Sequence, residues 1–322
     1  MSIFGPGKKS ALNIKARRLL GDGDPVAEAL HGAAGRRDWE TVRGTLGRFE
    51  GQDRTELVWA LAWDRPEVYQ WLRKEPELDE NDAVARMLLG VVTVAYGWSV
   101  RSGLLARHVS REQFEGFHAL LREAEPHLYA AAELDPGWSG PWVGLLASGR
   151  GLQVGLDAIR RRFEAAVTRD PADRIAHAQM LLALCKKWFG SHELMHEFAD
   201  QARRGAHGAD LAYLTGRAHL EQALSFGLGD ERRAYLAQPR VRSELAEAAE
   251  LSVFRPGYTL PRTPYDDANL FAMVFSLAGM RAEARRAFEL TEGVVTRVPW
   301  ELISRDVMTV YTTRRRQVRT AK

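Results

Sequence analysis

The sequence predicts an all-α protein in which antiparallel helix hairpins stack as a repeat solenoid. Three observations predict it. One pattern is written twice, from Leu128 to Pro136 and from Phe163 to Pro171, so that Leu128 aligns with Phe163, Ala131 with Ala166, Asp135 with Asp170 and Pro136 with Pro171, each pair 35 residues apart. A period of about 34 that closes each helical run with Asp-Pro marks stacked helix–turn–helix units. Apolar residues also recur at helical spacing, as in Trp39, Val42, Leu46 and Phe49. Finally, no stretch carries a competing strand pattern.

Composition sets the bounds. A chain of 322 residues with 45% hydrophobic content can bury a large core, and a repeat array can outgrow the usual single-domain limit. With 45 basic against 42 acidic residues the net charge is only +3, too even to predict nucleic-acid binding, although a pI near 9.0 leaves room for a local basic patch. The single cysteine, Cys185, excludes an intramolecular disulfide and fits a reducing compartment. It lies in the apolar run Met180–Cys185, which suits a buried structural thiol better than a nucleophile. The first ten residues lack the apolar core of a signal peptide, and no apolar run approaches a transmembrane helix in length. Gly7, Lys8, Lys9 and Ser10 imitate a phosphate loop, but Ser2 stands where its first glycine belongs and no strand precedes it. The expectation is a soluble, cytoplasmic protein.

Each element has its own signal. Residues 1–23 are polar and punctuated by glycine, and read as a flexible arm. Asp24 caps a first helix opened by Pro25, Gly35-Arg36-Arg37 forms a turn, and Asp38 caps the second helix. A second pair spans Thr55 to Trp63 and Pro66 to Lys74, and a longer helix follows Asn81-Asp82. Arg101 to Ser110 is a polar interruption. Ser110 with Gln113 fits a capping box for the helix that reaches the first Asp-Pro, and Pro126 predicts a kink or break within it. Further helices run from Trp138 to Ser148, Leu156 to Thr168 and Ala172 to Phe189. Ser191 caps another, to Arg204, and a repeat-like first helix starts near Leu211. Prolines 256, 261 and 264 break the connection 252–265. Beyond it Phe271, Phe275, Gly279, Ala284 and Phe288 form the best single copy, Pro299 opens a last helix to about Tyr311, and a basic tail occupies 314–322. The domain reading is therefore an arm (1–23), one solenoid (24–313, with a break expected at 252–265) and the tail.

Trp142, Leu145, Ala158, Pro171, Ala284 and Phe288 resemble the tetratricopeptide-repeat (TPR-like) superfamily, with departures at Leu146 and Gly149. The segment Lys186 to Ser191, with Glu193, Phe198 and Ala199, further resembles a group of bacterial TPR-like proteins to which no activity is attached, over about residues 25–220. The resemblance implies helix pairs curving around a concave face that receives a peptide or helix.

One motif pulls toward catalysis. His192-Glu193-Leu194-Met195-His196 reads H-E-x-x-H, in which two histidines one turn apart can hold Zn²⁺ while the glutamate activates its water. Gly190-Ser191 directly before it places His192 in a first, solvent-facing turn, and Ala199 and Ala202 replace the glycine and histidine of the extended motif. His207, Asp210, His219 and Glu221 are the candidate third ligands. The bland alternative puts Glu193 and His196 on a solvated face and Leu194, Met195 and Phe198 into packing. Trp59, Trp63 and Trp71 could line a groove, though aromatics at helical spacing are more often core. Arg160–Arg162 reads as a solvated face and Arg314–Arg316 as a complement to a helix terminus. His31, His108, His118, His127 and His177 show no paired spacing. Three function classes follow: a non-enzymatic interaction scaffold, a zinc hydrolase on His192, Glu193 and His196, and a nucleic-acid or anionic-surface binder through the basic ends. The first leads, because no catalytic constellation is complete.

Overall fold

A computed structural model describes residues 14–101, 110–227, 229–260 and 262–320. Among these the fold is all helical, without a strand. The phosphate-loop-like residues 7–10 and the interruption expected at 101–110 lie, wholly or for the most part, outside the described residues. The chain divides into two compact units within one helix rather than at 252–265: Asp24–Met195 form one, and the residues up to Gly23 join His196 onward in the other.

The first unit contains α1 (Pro25–Gly35), α2 (Trp39–Leu46), α3 (Gly51–Asp64), α4 (Val68–Leu72), α5 (Ala83–Arg101), α6 (Arg111–Leu134), α7 (Gly140–Leu152), α8 (Leu156–Arg169), α9 (Arg174–Ala183) and the first turn of α10 (His192–Arg204). The expected caps form. Asp24 accepts from the Val26 amide at 2.9 Å, Asp38 from Thr41 at 3.0 Å, and Ser110 and Gln113 close a capping box. Asp135 and Asp170 leave the helical backbone geometry that a following proline disfavours, which stops α6 and α8. Pro136 and Pro171 sit in tight turns rather than opening the next helices. Helices α7 and α9 begin behind Ser139 and Asp173 instead.

Packing follows a regular order. Helix α5 lies along α6 and touches α7, α6 packs on α7, α7 on α8 and α9, and α8 on α9. Small residues make the approach close. A Cβ added at Gly90 of α5 would stand 2.6 Å from the Leu128 side chain of α6, and one at Gly144 of α7 only 2.7 Å from it. The Leu128 side chain is thus held by both helices. Ala131 and Ala166 are fully buried as predicted, whereas Ala158 is only half-buried. Helix α6 runs through Pro126 without the expected break. Its packing on both α5 and α7 offsets the proline's cost of about 3 kcal/mol. Arg162 leaves the solvated face expected for it. Buried, it donates to both Glu125 oxygens at 2.7 and 3.2 Å and to the Leu145 carbonyl at 2.6 Å, joining α6, α7 and α8. Helix α5 is long and apolar enough to cross a bilayer, contrary to the sequence expectation, but 67% of that stretch is covered by protein.

The second unit holds the rest of α10 with α11 (Gly208–Leu211), α12 (Tyr213–Ser225), α13 (Asp230–Leu236), α14 (Pro239–Leu251), α15 (Asp266–Leu277), α16 (Arg281–Leu290) and α17 (Val307–Thr320). Helix α12 packs on α13, α14 and α15, and α17 closes on α15 and α16. Phe271, Phe275, Ala284 and Phe288 are all fully buried, as the last copy of the pattern predicts. Residues 1–13 of the expected arm and the last two of the expected tail lie outside the described residues, and the described parts of both are tied down. Residues 14–19 pair with the loop after α16, Arg17 exchanging backbone bonds with Gly293 (2.8 Å) and Val295 (2.9 Å). The basic tail expected from Arg314 is instead the end of α17. Arg315 is buried and donates to the Ile14 carbonyl at 2.7 Å, and Val318 is buried too. Pro299 does not start a long helix. A short turn, Trp300–Leu302, precedes α17, and its Trp300 packs against Phe288 and Tyr311 while donating to Asn269 at 2.7 Å.

Candidate functional site

The H-E-x-x-H residues occupy the start of α10, capped by Ser191, whose hydroxyl accepts from the Leu194 amide at 3.3 Å. Glu193 is exposed and Met195 fully buried, as the bland reading expects. Leu194, expected in packing, is 38% exposed, and His196, expected on a solvated face, is mostly covered.

His196 enters a polar network of the second unit. Its Nε2 donates to Gln222 Oε1 at 2.7 Å, and its ring lies 4.6 Å from that of His219. His219 is fully buried. Its Nδ1 accepts from the Tyr235 hydroxyl at 2.6 Å and its Nε2 donates to Glu244 at 2.9 Å. Burial, and then the neighbouring His219, push the His196 imidazole down to about 4. Burial raises the Tyr235 phenol, while the bond from His219 holds Glu244 below the usual carboxylate range. A raised phenol in a closed network is the opposite of an activated nucleophile. Of the candidate third ligands, His219 lies beside His196, and both its nitrogens are engaged. Among the described residues no three His, Cys, Asp or Glu side chains form a group that could hold a metal ion.

The network has a pH signature. Because the folded His196 value lies below the ordinary one, unfolding takes up a proton between the two. Stability present above about pH 6.5 is therefore lost as pH falls toward 4. In an NMR titration the His196 ring is expected to stay neutral until about pH 4. An inflection near the ordinary histidine value would show that water reaches it.

A concave surface lies elsewhere, in the first unit. The α1–α2 turn and α4 enclose a cleft of about 620 Å³ lined by Gly35, Arg37, Arg65, Gln70, Trp71 and Lys74, with Glu67 at its wall. The sequence dictates its shape. Helix α1 ends where the amides of Arg37 and Asp38 bond back to the carbonyls of Ala34 and Ala33, both at 3.1 Å. This closure puts Arg37 in the left-handed region at φ 57° and sends its side chain outward. Arg65 lies on Gly35, where an added Cβ would come within 3.2 Å of its guanidinium. It donates to Glu67 (3.1 Å) and to the His31 carbonyl (3.3 Å). The Trp71 indole donates to Glu75 at 2.9 Å, leaving its ring on the cleft wall. The groove role considered for this tryptophan thus has a place to act. Trp59 and Trp63 pack instead on each other, centroids 5.5 Å apart, and on the core.

Sequence reasoning read Gly35-Arg36-Arg37 only as a turn and gave Arg65 and Lys74 no role. The available signal was a basic pair at a helix terminus facing a tryptophan-bearing helix. A second cleft, near Trp39, is lined by Arg43 and Asp82, which pair with each other at 2.7 Å. Compared with known proteins, the chain matches no family model, and no curated protein or solved structure is significantly similar to it.

Proposed function

We propose that the protein is a non-enzymatic interaction scaffold, a TPR-like array of helix hairpins that holds a protein or peptide partner in a cytoplasmic setting. The observation that carries this reading is the packing order from α5 to α9. Each hairpin's first helix (α5, α7, α9) packs on the first helix of the next, while each second helix (α6, α8) packs mainly on the helices on either side of it in sequence and α8 reaches α6 through Arg162. That is the nearest-neighbour logic of a stacked repeat. The array differs from an open solenoid at α7, which is covered around its circumference except at Trp142 and Leu152. Partner binding is accordingly assigned to the cleft by α4 rather than to a concave row of first helices. The fully buried His219 bonds to Tyr235 and Glu244, which favours a structural role for it over a reactive one.

The competing hydrolase reading rests on His192, Glu193 and His196, and the two part cleanly in experiment. A photo-crosslinking residue at Gln70, introduced in the native host, is expected to trap a discrete protein partner. Elemental analysis of the purified chain is expected to find no stoichiometric zinc, and Glu193→Gln to leave the crosslink yield unchanged. Stoichiometric zinc that disappears in the His192→Ala/His196→Ala double variant would replace the scaffold by the hydrolase.

A further inference from the structure

We infer that the cleft between the α1–α2 turn and α4 is a recognition site for a short acidic peptide segment, in which two carboxylates flank an apolar side chain. The inference rests on the scaffold reading and gives its partner a chemistry. Three cations line the cleft, Arg37, Arg65 and Lys74, against the single carboxylate of Glu67. Arg65 already serves Glu67 and the His31 carbonyl. Arg37 and Lys74 make no ion pair or side-chain hydrogen bond among the described residues, and both are exposed. Two cations without an ion pair, one from the α1–α2 turn and one from just beyond α4, line one concavity and give it a net positive balance. An oxyanion supplies what is missing. Between them the Trp71 ring and Val68 offer an apolar floor, which suits a side chain rather than a free inorganic anion.

The charges also limit the length of the occupant. Glu67 lies on the wall, and Glu75, bonded to the Trp71 indole, stands one residue beyond Lys74 in the chain. A continuous polyanion laid across this surface would meet both. A nucleic acid needs an uninterrupted basic stripe for its phosphates, which the cleft does not provide. A carboxylate reaching Arg37 and another reaching Lys74, with an aliphatic residue over Trp71, meets neither acidic group. Gln70, whose amide donates to the Tyr96 hydroxyl, keeps its carbonyl for a backbone amide of the peptide.

The backbone supplies a variant that separates binding from folding. Arg37 occupies a left-handed position that glycine adopts without steric cost. Arg37→Gly removes the cation while suiting the local conformation, so its melting temperature should not fall. The probe is a fluorescein-labelled hexapeptide of alternating Glu and Leu, read by fluorescence anisotropy with the full chain. The controls are the Lys/Leu peptide of the same pattern and a labelled single-stranded DNA hexamer. The expected result is Glu/Leu binding that weakens about tenfold in Arg37→Gly and about tenfold or more in Lys74→Glu. Raising salt from about 50 to 200 mM should also weaken it, by a factor set by roughly two ion contacts. Tighter binding of DNA than of peptide would overturn the inference. So would no peptide binding, or peptide binding indifferent to both substitutions. If the Gln70 crosslink still traps a protein while the acidic peptide fails to bind, the scaffold reading stands and the acidic chemistry falls.

Discussion

Truncating Leu128 to alanine is expected to destabilise the first unit by about 3–5 kcal/mol, near the top of the range for a buried leucine. The reason lies in its neighbours. Leu128 is fully buried, and the two surfaces that hold it are glycines, Gly90 of α5 and Gly144 of α7. Where two helices close on a leucine largely through bare backbone, with Val91 beside Gly144, few side chains can swing into the space its removal leaves. The cavity persists, and cavity volume sets the cost. The same geometry predicts a partial rescue. Gly90→Ala alone should destabilise, since its methyl would stand 2.6 Å from the Leu128 side chain. In the Leu128→Ala background that methyl points into vacated space and should restore part of the loss, a coupling that a double-mutant cycle by urea unfolding reads directly. A Leu128→Ala cost below about 1.5 kcal/mol, or strict additivity with Gly90→Ala, would show that the three helices relax around the site.

What the sequence made legible was what it encodes locally. Asp24, Asp38, Ser110 and Ser191 each cap a helix through atoms two or three residues away, so their spacing sufficed. The twin Asp-Pro stops were readable because proline acts on the residue before it. The errors share the opposite property. Arg162 looked solvated because its partner Glu125 lies 37 positions earlier. Arg315 looked like part of a loose tail because its acceptor, the Ile14 carbonyl, is 301 residues upstream. His196 drew notice for the histidine four residues before it, while its actual partners, Gln222 and Tyr235, come from two later helices. The candidate cleft was invisible for the same reason. Gly35 and Arg65 are placed together only by the packing of α1 on α3. Periodicity says which face of a helix is buried and nothing about which distant charge will meet it.

The same blindness hid Glu56, a carboxylate on α3 that is 8% exposed. It accepts from the Gln52 amide at 2.9 Å and is drawn down by the Arg174 charge at the start of α9, yet burial prevails and pushes its carboxyl up to about 7. Its neighbour Asp173, the cap of α9, accepts from Ser139 at 2.7 Å and is likewise pushed up by burial, to about 6. The sign follows from linkage. A carboxyl whose folded value lies above its ordinary 4.5 holds a proton in the folded state that the unfolded chain has lost. The stability Glu56 contributes is therefore full below the ordinary value and lost as pH rises through about 7. This is opposite in direction to His196 and Glu244, so the wild-type pH profile alone does not isolate it. Replacement by glutamine does. Glu56→Gln mimics the protonated form, keeps the volume, and leaves the other groups in place. Near pH 4.5 the variant and the parent should unfold at nearly equal urea concentrations. By about pH 8 the variant should be the more stable by roughly 3 kcal/mol, the equivalent of the shift in Glu56. A difference that does not change with pH, or a loss of stability at the alkaline end, would mean that the Arg174–Glu56 attraction outweighs the cost of burying the carboxylate.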